Sequence, residues 1–185
     1  MSGLFPAHTP ETAPEDARPA LATAQRQLGF VPTMMAKFAE APLLLQAYQT
    51  AAGFFDQTSF TPSERLVVLL TASYENNCDF CMSAHSWGAA RQGLDADLIA
   101  DLREGRTLQD TRLEALRTFV RTLVVEHGRV PEADQHAFFA AGFTPRQALE
   151  AVLGVATKVM TNYTNALAVT PPNAEFGDAL WRRPA

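Results

Sequence analysis

Cys78, Cys81 and His85 are the residues of this chain best suited to chemistry. They stand as Cys-x-x-Cys-x-x-x-His within Glu75-Asn76-Asn77-Cys78-Asp79-Phe80-Cys81-Met82-Ser83-Ala84-His85, which holds both cysteines and one of the four histidines. Steps of three and seven residues return to nearly the same face of a helix. The three side chains therefore converge if the segment is helical from Cys78 onward. Asn76-Asn77 predicts a break before it, and Asp79 suits the first turn of a new helix.

A thiol reacts as its thiolate. The positive end of a helix, a nearby imidazolium or the second thiol of a Cys-x-x-Cys pair lowers its pKa. Two cysteines three apart can also close a disulfide, and His85, one turn past Cys81, can take or hold its proton. This describes a redox-active dithiol with a built-in base. Two other readings stay open. Cys78, Cys81 and His85 could be three zinc ligands, completed by water or by His8, His127 or His136. The cysteines could also be small buried apolar residues.

Further residues carry a resemblance. The run Phe60-Thr61-Pro62-Ser63-Glu64-Arg65-Leu66-Val67-Val68-Leu69-Leu70, leading into Tyr74 and the cysteine segment, resembles the carboxymuconolactone decarboxylase and alkylhydroperoxidase D (AhpD) superfamily. Leu28-Gly29-Phe30-Val31-Pro32 and Asn162-Tyr163-Thr164-Asn165 are similar to its longer, peroxidase-related members. The resemblance implies an all-α, AhpD-like helical bundle that forms a homo-oligomer. It implies a thiol peroxidase or disulfide reductase, with Cys78 and Cys81 as the redox pair and His85 in the proton relay. The partners so implied are a hydroperoxide substrate and an external dithiol reductant; no cofactor or metal is expected. The family's relay glutamate, twelve residues before the first cysteine, is Leu66 here, and a second histidine found in some peroxidases is Phe80. Glu64 and Glu75 are the candidates to replace the missing acid. Glu64 is otherwise explained as part of a helix cap, and Glu75 as an exposed helix end.

Cys81 is the expected attacker of the peroxide because His85 lies one turn away. Cys78, at an exposed helix start, would then resolve the sulfenic acid to a disulfide. Two alternatives accompany this reading: a lyase acting on a lactone acid, and a zinc-stabilised, non-catalytic helical protein. The dithiol argues against the lyase, since decarboxylation needs no second thiol.

Composition narrows the partners. The 185 residues suit one domain with extensions, and 47% hydrophobic content supports a sizeable core. Charged residues are only 19%, so some surface is expected to be covered by other subunits. A net charge of −5 without a basic run argues against nucleic acid and anionic membrane surfaces. No apolar stretch approaches membrane-spanning length, and the first residues lack a signal-peptide pattern. Two cysteines at redox spacing suit a reducing cytoplasm.

The elements that must position the cysteines follow from helix punctuation. Residues 1–16 read as an extended arm, with His8 in solvent. The helical domain is expected over 17–170 and a tail over 171–185. About eight or nine helices are predicted. They cover Ala17 to Leu28 (with Leu21 and Leu28 on one face), Thr33 to Ala39, and Pro42 to about Asp56. Next come the helix capped by Thr61 and the cysteine helix, which runs to about Arg91 and carries Trp87 as a core or interface residue. Four more follow: Ala96 to Arg103, Thr111 to His127, Glu132 to Ala141, and a last long helix opening at Thr144. Met34, Met35 and Phe38 read as core rather than as a ligand pocket. His127 is explained by a helix C-terminus, and His136 by the surface. Phe143-Thr144-Pro145-Arg146-Gln147 repeats the shape of Phe60-Thr61-Pro62-Ser63-Glu64, a weak two-unit internal repeat. The second unit lacks cysteines but carries Thr161-Asn162-Tyr163-Thr164-Asn165, whose polar side chains should line the site or bond across an interface.

Overall fold

The computed structural model describes residues 4–184; residues 1–3 of the expected arm and Ala185 of the expected tail lie outside the described residues. Among the described residues there is no strand. Nine α-helices follow in order: α1 Arg18–Leu28, α2 Thr33–Phe38, α3 Pro42–Asp56, α4 Pro62–Glu75, α5 Asp79–Arg91, α6 Ala96–Glu104, α7 Thr111–Val125, α8 Glu132–Ala140 and α9 Pro145–Leu167. Two 3-10 segments, Glu15–Ala17 and Ala174–Ala179, flank them. This is the all-helical bundle expected from the sequence. Among the described residues no helix is long and apolar enough to cross a membrane.

Both units open with the same cap. Thr61 Oγ1 accepts from the Glu64 amide at 3.2 Å, and the Glu64 carboxylate accepts from the Thr61 amide at 2.8 Å. Thr144 and Gln147 make the same reciprocal pair at 3.2 and 3.0 Å. In each, proline occupies the first helical turn, where its missing N–H costs nothing. The central helix is α4, whose Leu66, Val67, Val68, Leu70 and Ala72 are all buried. It packs against α5, α7 and α9. Beneath it, Phe138 stacks between Phe119 at 4.2 Å and Phe143 at 4.5 Å. The approach of α9 needs Gly154, because a Cβ there would meet Phe55 and Val68 at 2.6 Å.

A second apolar cluster surrounds the cysteines. It joins Cys78, Phe80 and Cys81 to Leu21, Met34, Phe38 and Leu45, to Ala13 and Ala17 from the N-terminal segment, and to Phe176 near the other end. The C-terminal segment lies on the body. Trp181 donates its indole N–H to Arg103 O at 2.7 Å and its backbone N–H to Ser83 Oγ at 3.0 Å.

Three local expectations need correction. Leu28 does not share the buried face of Leu21; it is 42% exposed, next to the left-handed Gly29 that ends α1. The helix expected to reach His127 stops at Val125, because His127 and Gly128 turn left-handed and the Gly128 amide returns to Leu123 O. His8 is not in solvent. Its side chain is 14% exposed, and Nε2 lies 2.7 Å from the Glu40 carboxylate.

Candidate active site

The cysteines owe their position to a turn. α4 ends at Glu75, Asn77 adopts the left-handed region at φ 50°, and the chain re-enters a helix at Asp79 with Cys78 as its N-cap. Asparagine tolerates this backbone better than other non-glycine residues. The turn is pinned from across the bundle, where Asn76 Nδ2 donates to Asn162 Oδ1 at 3.0 Å. Cys78 and Cys81 are both free thiols, and both are buried, at 6% and 2% exposure. Cys78 is therefore not the exposed helix start expected of it, because residues from α9 and the segment after it cover the turn.

Cys78 and Cys81 lie within hydrogen-bonding reach of each other, Cys81 and His85 border one cavity, and α9 adds further residues. Lys158, Thr161, Asn162 and Asn165 recur at helical spacing on the buried face of α9. Lys158 Nζ donates to His85 Nε2 at 2.8 Å. Asn165 Nδ2 reaches both sulfurs, at 3.4 Å to Cys81 and 3.7 Å to Cys78. Lys158 is 1% exposed and forms no ion pair with a carboxylate among the described residues.

These contacts set the two thiols apart. Burial alone would disfavour a thiolate at Cys81. The hydrogen bond from Cys78, the charge of Lys158 and the neighbouring Thr161 hydroxyl outweigh it and hold Cys81 below the ordinary thiol range. Cys78 shifts upward, since it gives its hydrogen bond to Cys81 and is itself desolvated. Burial, and then the Lys158 charge, push the His85 imidazole well below its usual value, so it is neutral at physiological pH. The cation beside the thiols is thus an ammonium rather than an imidazolium. The Tyr48 hydroxyl is raised to about 12, first by burial and then by Cys81.

Cys81, His85 and Lys158 border a cavity of about 200 Å³ walled by Phe30, Met34, Met35, Tyr48, Trp87 and Phe176. Met34 and Met35, read from sequence as core, line this space, and Trp87 stands in its wall. Cys78 is absent from that cavity and faces a different recess. His85 also borders a polar outer pocket together with Asp56, Arg65, Leu66 and Gln92.

Neither candidate acid reaches the thiols. Glu75 pairs with Arg121 at 3.3 Å, and Glu64 is held by its cap and by Arg112 at 3.1 Å. Among the described residues no group of three His, Cys, Asp or Glu side chains is placed to hold a metal ion. His127 and His136 lie elsewhere, and His136 pairs at the surface with Glu132. The residue that sequence reasoning missed is Lys158. The signal was present: it is the sole charged residue between Glu150 and the end of α9, on a helix that is otherwise apolar or neutral there.

Residues 39–110 match the model of the Carboxymuconolactone decarboxylase family, a span that includes Cys78, Cys81 and His85 but not Lys158. No curated protein matches the sequence. Solved structures share the fold at low identity. One is an uncharacterised peroxidase-related protein from Silicibacter sp. TM1040, 21% identical with a TM-score of 0.80, covering 96% of this chain and 94% of that one. Another, from Ralstonia eutropha JMP134, is described as an AhpD core and peroxidase-related. It is 24% identical with a TM-score of 0.78 and covers 93% of each chain. The debrominase Bmp8 is 17% identical with a TM-score of 0.81 and covers 96% of each chain.

Proposed function

We propose that this member of the carboxymuconolactone decarboxylase and AhpD superfamily is a thiol peroxidase that reduces organic hydroperoxides at Cys81. The observation that carries the reading is the placement of Cys81, His85 and the buried Lys158 together on the wall of one apolar cavity. The Cys81 thiolate attacks the terminal oxygen. An S–O bond forms and the O–O bond breaks, leaving a sulfenic acid and an alkoxide. Lys158 supplies the proton that makes the alkoxide an alcohol, and neutral His85 returns one from the polar outer pocket. The Cys78 thiol then condenses with the sulfenic acid, releasing water and closing the disulfide. An external thiol reductant reopens it by exchange. In this scheme Lys158 replaces the carboxylate absent at Leu66.

Apolar walls favour a compact organic hydroperoxide over hydrogen peroxide, which gains nothing from them. The test is a single-turnover titration of the reduced protein with cumene hydroperoxide. Two thiols lost per equivalent, restored by a dithiol, support the reading; thiols that persist at full count sink it.

A second reading is favoured by the aromatic walls and by the shared fold of the debrominase. The dithiol would remove a halogen from a small haloarene, giving the arene, halide, a proton and the disulfide. Replacing cumene hydroperoxide by a bromophenol in the same titration separates the two. A lactone-acid lyase would use Lys158 for the substrate carboxylate but would leave both thiols without a task.

The reading includes a pairing of copies. The outer face of α9 presents Leu149, Val152, Ala156, Val159, Tyr163 and Ala166, with no charged residue among them. Their alternating three- and four-residue spacing is that of a helix-pairing seam, and it is nearly symmetric about Ala156. An antiparallel second α9 would thus set Leu149 against Tyr163 around a small central residue. Val159→Glu should halve the mass of the assembly in light scattering; an unchanged mass would reject this face.

A further inference from the structure

The two cysteines border different recesses, and the recess beside Cys78 has the features of a binding site. A recess of about 360 Å³ is lined by Cys78 and Asn77 at the turn, by Asp79, by Asn165 and Thr170, by Pro171 and Pro172, and by Arg182. Cys81, His85 and Lys158 do not border it.

Two polar atoms on its wall lack partners. Asn165 spends its amide N–H groups on the sulfurs, while its Oδ1 is buried and unpaired. Thr170 Oγ1 is likewise buried and unpaired. A buried polar atom without a partner calls for one, and these two stand on the wall of the recess. The same wall holds the backbone in an uncommon state. Asn77 and Val169 both lie at positive φ, 50° and 49°. For β-branched Val169 this is costly, the kind of local strain that clusters at ligand clamps. Rigid Pro171-Pro172 fixes the far rim. Asp79 and Arg182 supply the charged groups, one of each sign.

We propose that this recess binds the reductant as a low-molecular-weight cysteinyl peptide, whose thiol opens the Cys78–Cys81 disulfide at Cys78. The proposal deepens the thiol-redox reading above and rests on it. A thiol entering the recess meets Cys78, the one cysteine that lines it. An amide N–H beside that thiol satisfies Asn165 Oδ1, and a neighbouring peptide group satisfies Thr170 Oγ1. A free carboxylate pairs with Arg182 and an ammonium with Asp79. A pocket of this size takes a di- or tripeptide.

The exchange balances. The incoming thiolate forms an S–S bond to Cys78 and breaks the bond to Cys81, which leaves as its thiolate. The leaving sulfur is the one stabilised by Lys158 and Thr161, the direction in which exchange runs fastest. A second peptide thiol attacks the mixed disulfide, releases the peptide disulfide and returns Cys78 as a thiol.

The experiment starts from protein oxidised with diamide, which closes the pair without any peroxide step. Failure of the peroxidase reading therefore shows separately, in the cumene hydroperoxide titration. Re-reduction is followed by tryptophan fluorescence against increasing glutathione, its diamide derivative with both carboxylates capped, 2-mercaptoethanol and a reduced thioredoxin-type protein. The expected result is a rate that saturates with glutathione, stays linear with 2-mercaptoethanol, and passes through a mixed disulfide whose mass maps to Cys78. In Arg182→Gln the ratio of the glutathione rate to the 2-mercaptoethanol rate should fall roughly fivefold, the loss of about one charge-assisted contact. Capping the carboxylates should reproduce that fall on the wild-type protein. A rate linear in glutathione, a ratio unmoved by capping or by Arg182→Gln, a mixed disulfide on Cys81, saturation by the protein dithiol alone, or a pair that diamide cannot close would each overturn the proposal.

Discussion

α4 and α9 begin alike, with Phe-Thr-Pro and a reciprocal pair of cap hydrogen bonds, yet they deliver different chemistry. α4 runs 14 residues and breaks at Asn76-Asn77; α9 runs 23 without interruption. The break gives the first unit a fresh helix start, where backbone N–H groups are unpaired and a sulfur can be presented at the N-cap. The unbroken helix gives the second unit a single face on which Lys158, Thr161 and Asn165 stack at one-turn intervals. A reactive sulfur is placed by a chain reversal. A buried cation is better placed in mid-helix, where its own backbone is fully hydrogen-bonded and the surrounding side chains hold it rigidly.

The largest effect expected from disturbing this division of labour is at the first unit. Cys81→Ser should reduce hydroperoxide turnover to background, a loss of roughly a thousandfold or more, whereas Cys78→Ser should still show one sulfenic acid per chain by dimedone trapping. The reverse result would move the attack to Cys78. Next comes the second unit. Lys158→Met keeps the volume and removes the cation, so the Cys81 thiolate loses support and its pKa rises. Alkylation of Cys81 by iodoacetamide, followed by peptide mass across pH, should shift to higher pH, and the peroxide rate at pH 7 should fall roughly ten- to a hundredfold. An unshifted alkylation profile would show that Cys78 alone sustains the thiolate.

The contact between the units comes third. Gly154→Ala puts a methyl group against Phe55 and Val68, and should destabilise the fold by about 1–3 kcal/mol in urea unfolding. The smallest effects test the likeness itself. Thr61→Ala and Thr144→Ala each remove one cap acceptor, and should each cost about 1 kcal/mol. If the first also slowed the peroxide reaction and the second did not, the two openings would be alike in form but not in use.

Much of this was legible in the residues. The caps at Thr61 and Thr144 rest on local pairs three residues apart, and such bonds are written in sequence. Cys81 and His85 reach one cavity because they lie one turn apart on one helix, with Cys78 at its N-cap. Lys158 was hidden by distance, since it meets His85 from 73 residues away, and only packing of α9 on α5 makes the contact. Met34 and Met35 are core as read, with Met34 buried, but they also wall the cavity, and that second role was not legible. An apolar residue looks the same whether its neighbours are side chains or an empty cavity, and only tertiary structure distinguishes the two. Cys78 was expected in solvent because a helix start usually is. The residues that cover it, Asn165 to Pro172, belong to the far end of the chain.

That distance has a consequence for the life of the chain before it is folded. The long-range bonds that reach the sulfurs and His85 span 73 to 87 residues. While the ribosome is still making the second half, the cysteines have neither Lys158 nor Asn165 and behave as ordinary thiols, almost wholly protonated at neutral pH. On the proposed reading, the docking of α9 is what completes the surroundings of the two sulfurs, and an unfinished or unfolded copy lacks them.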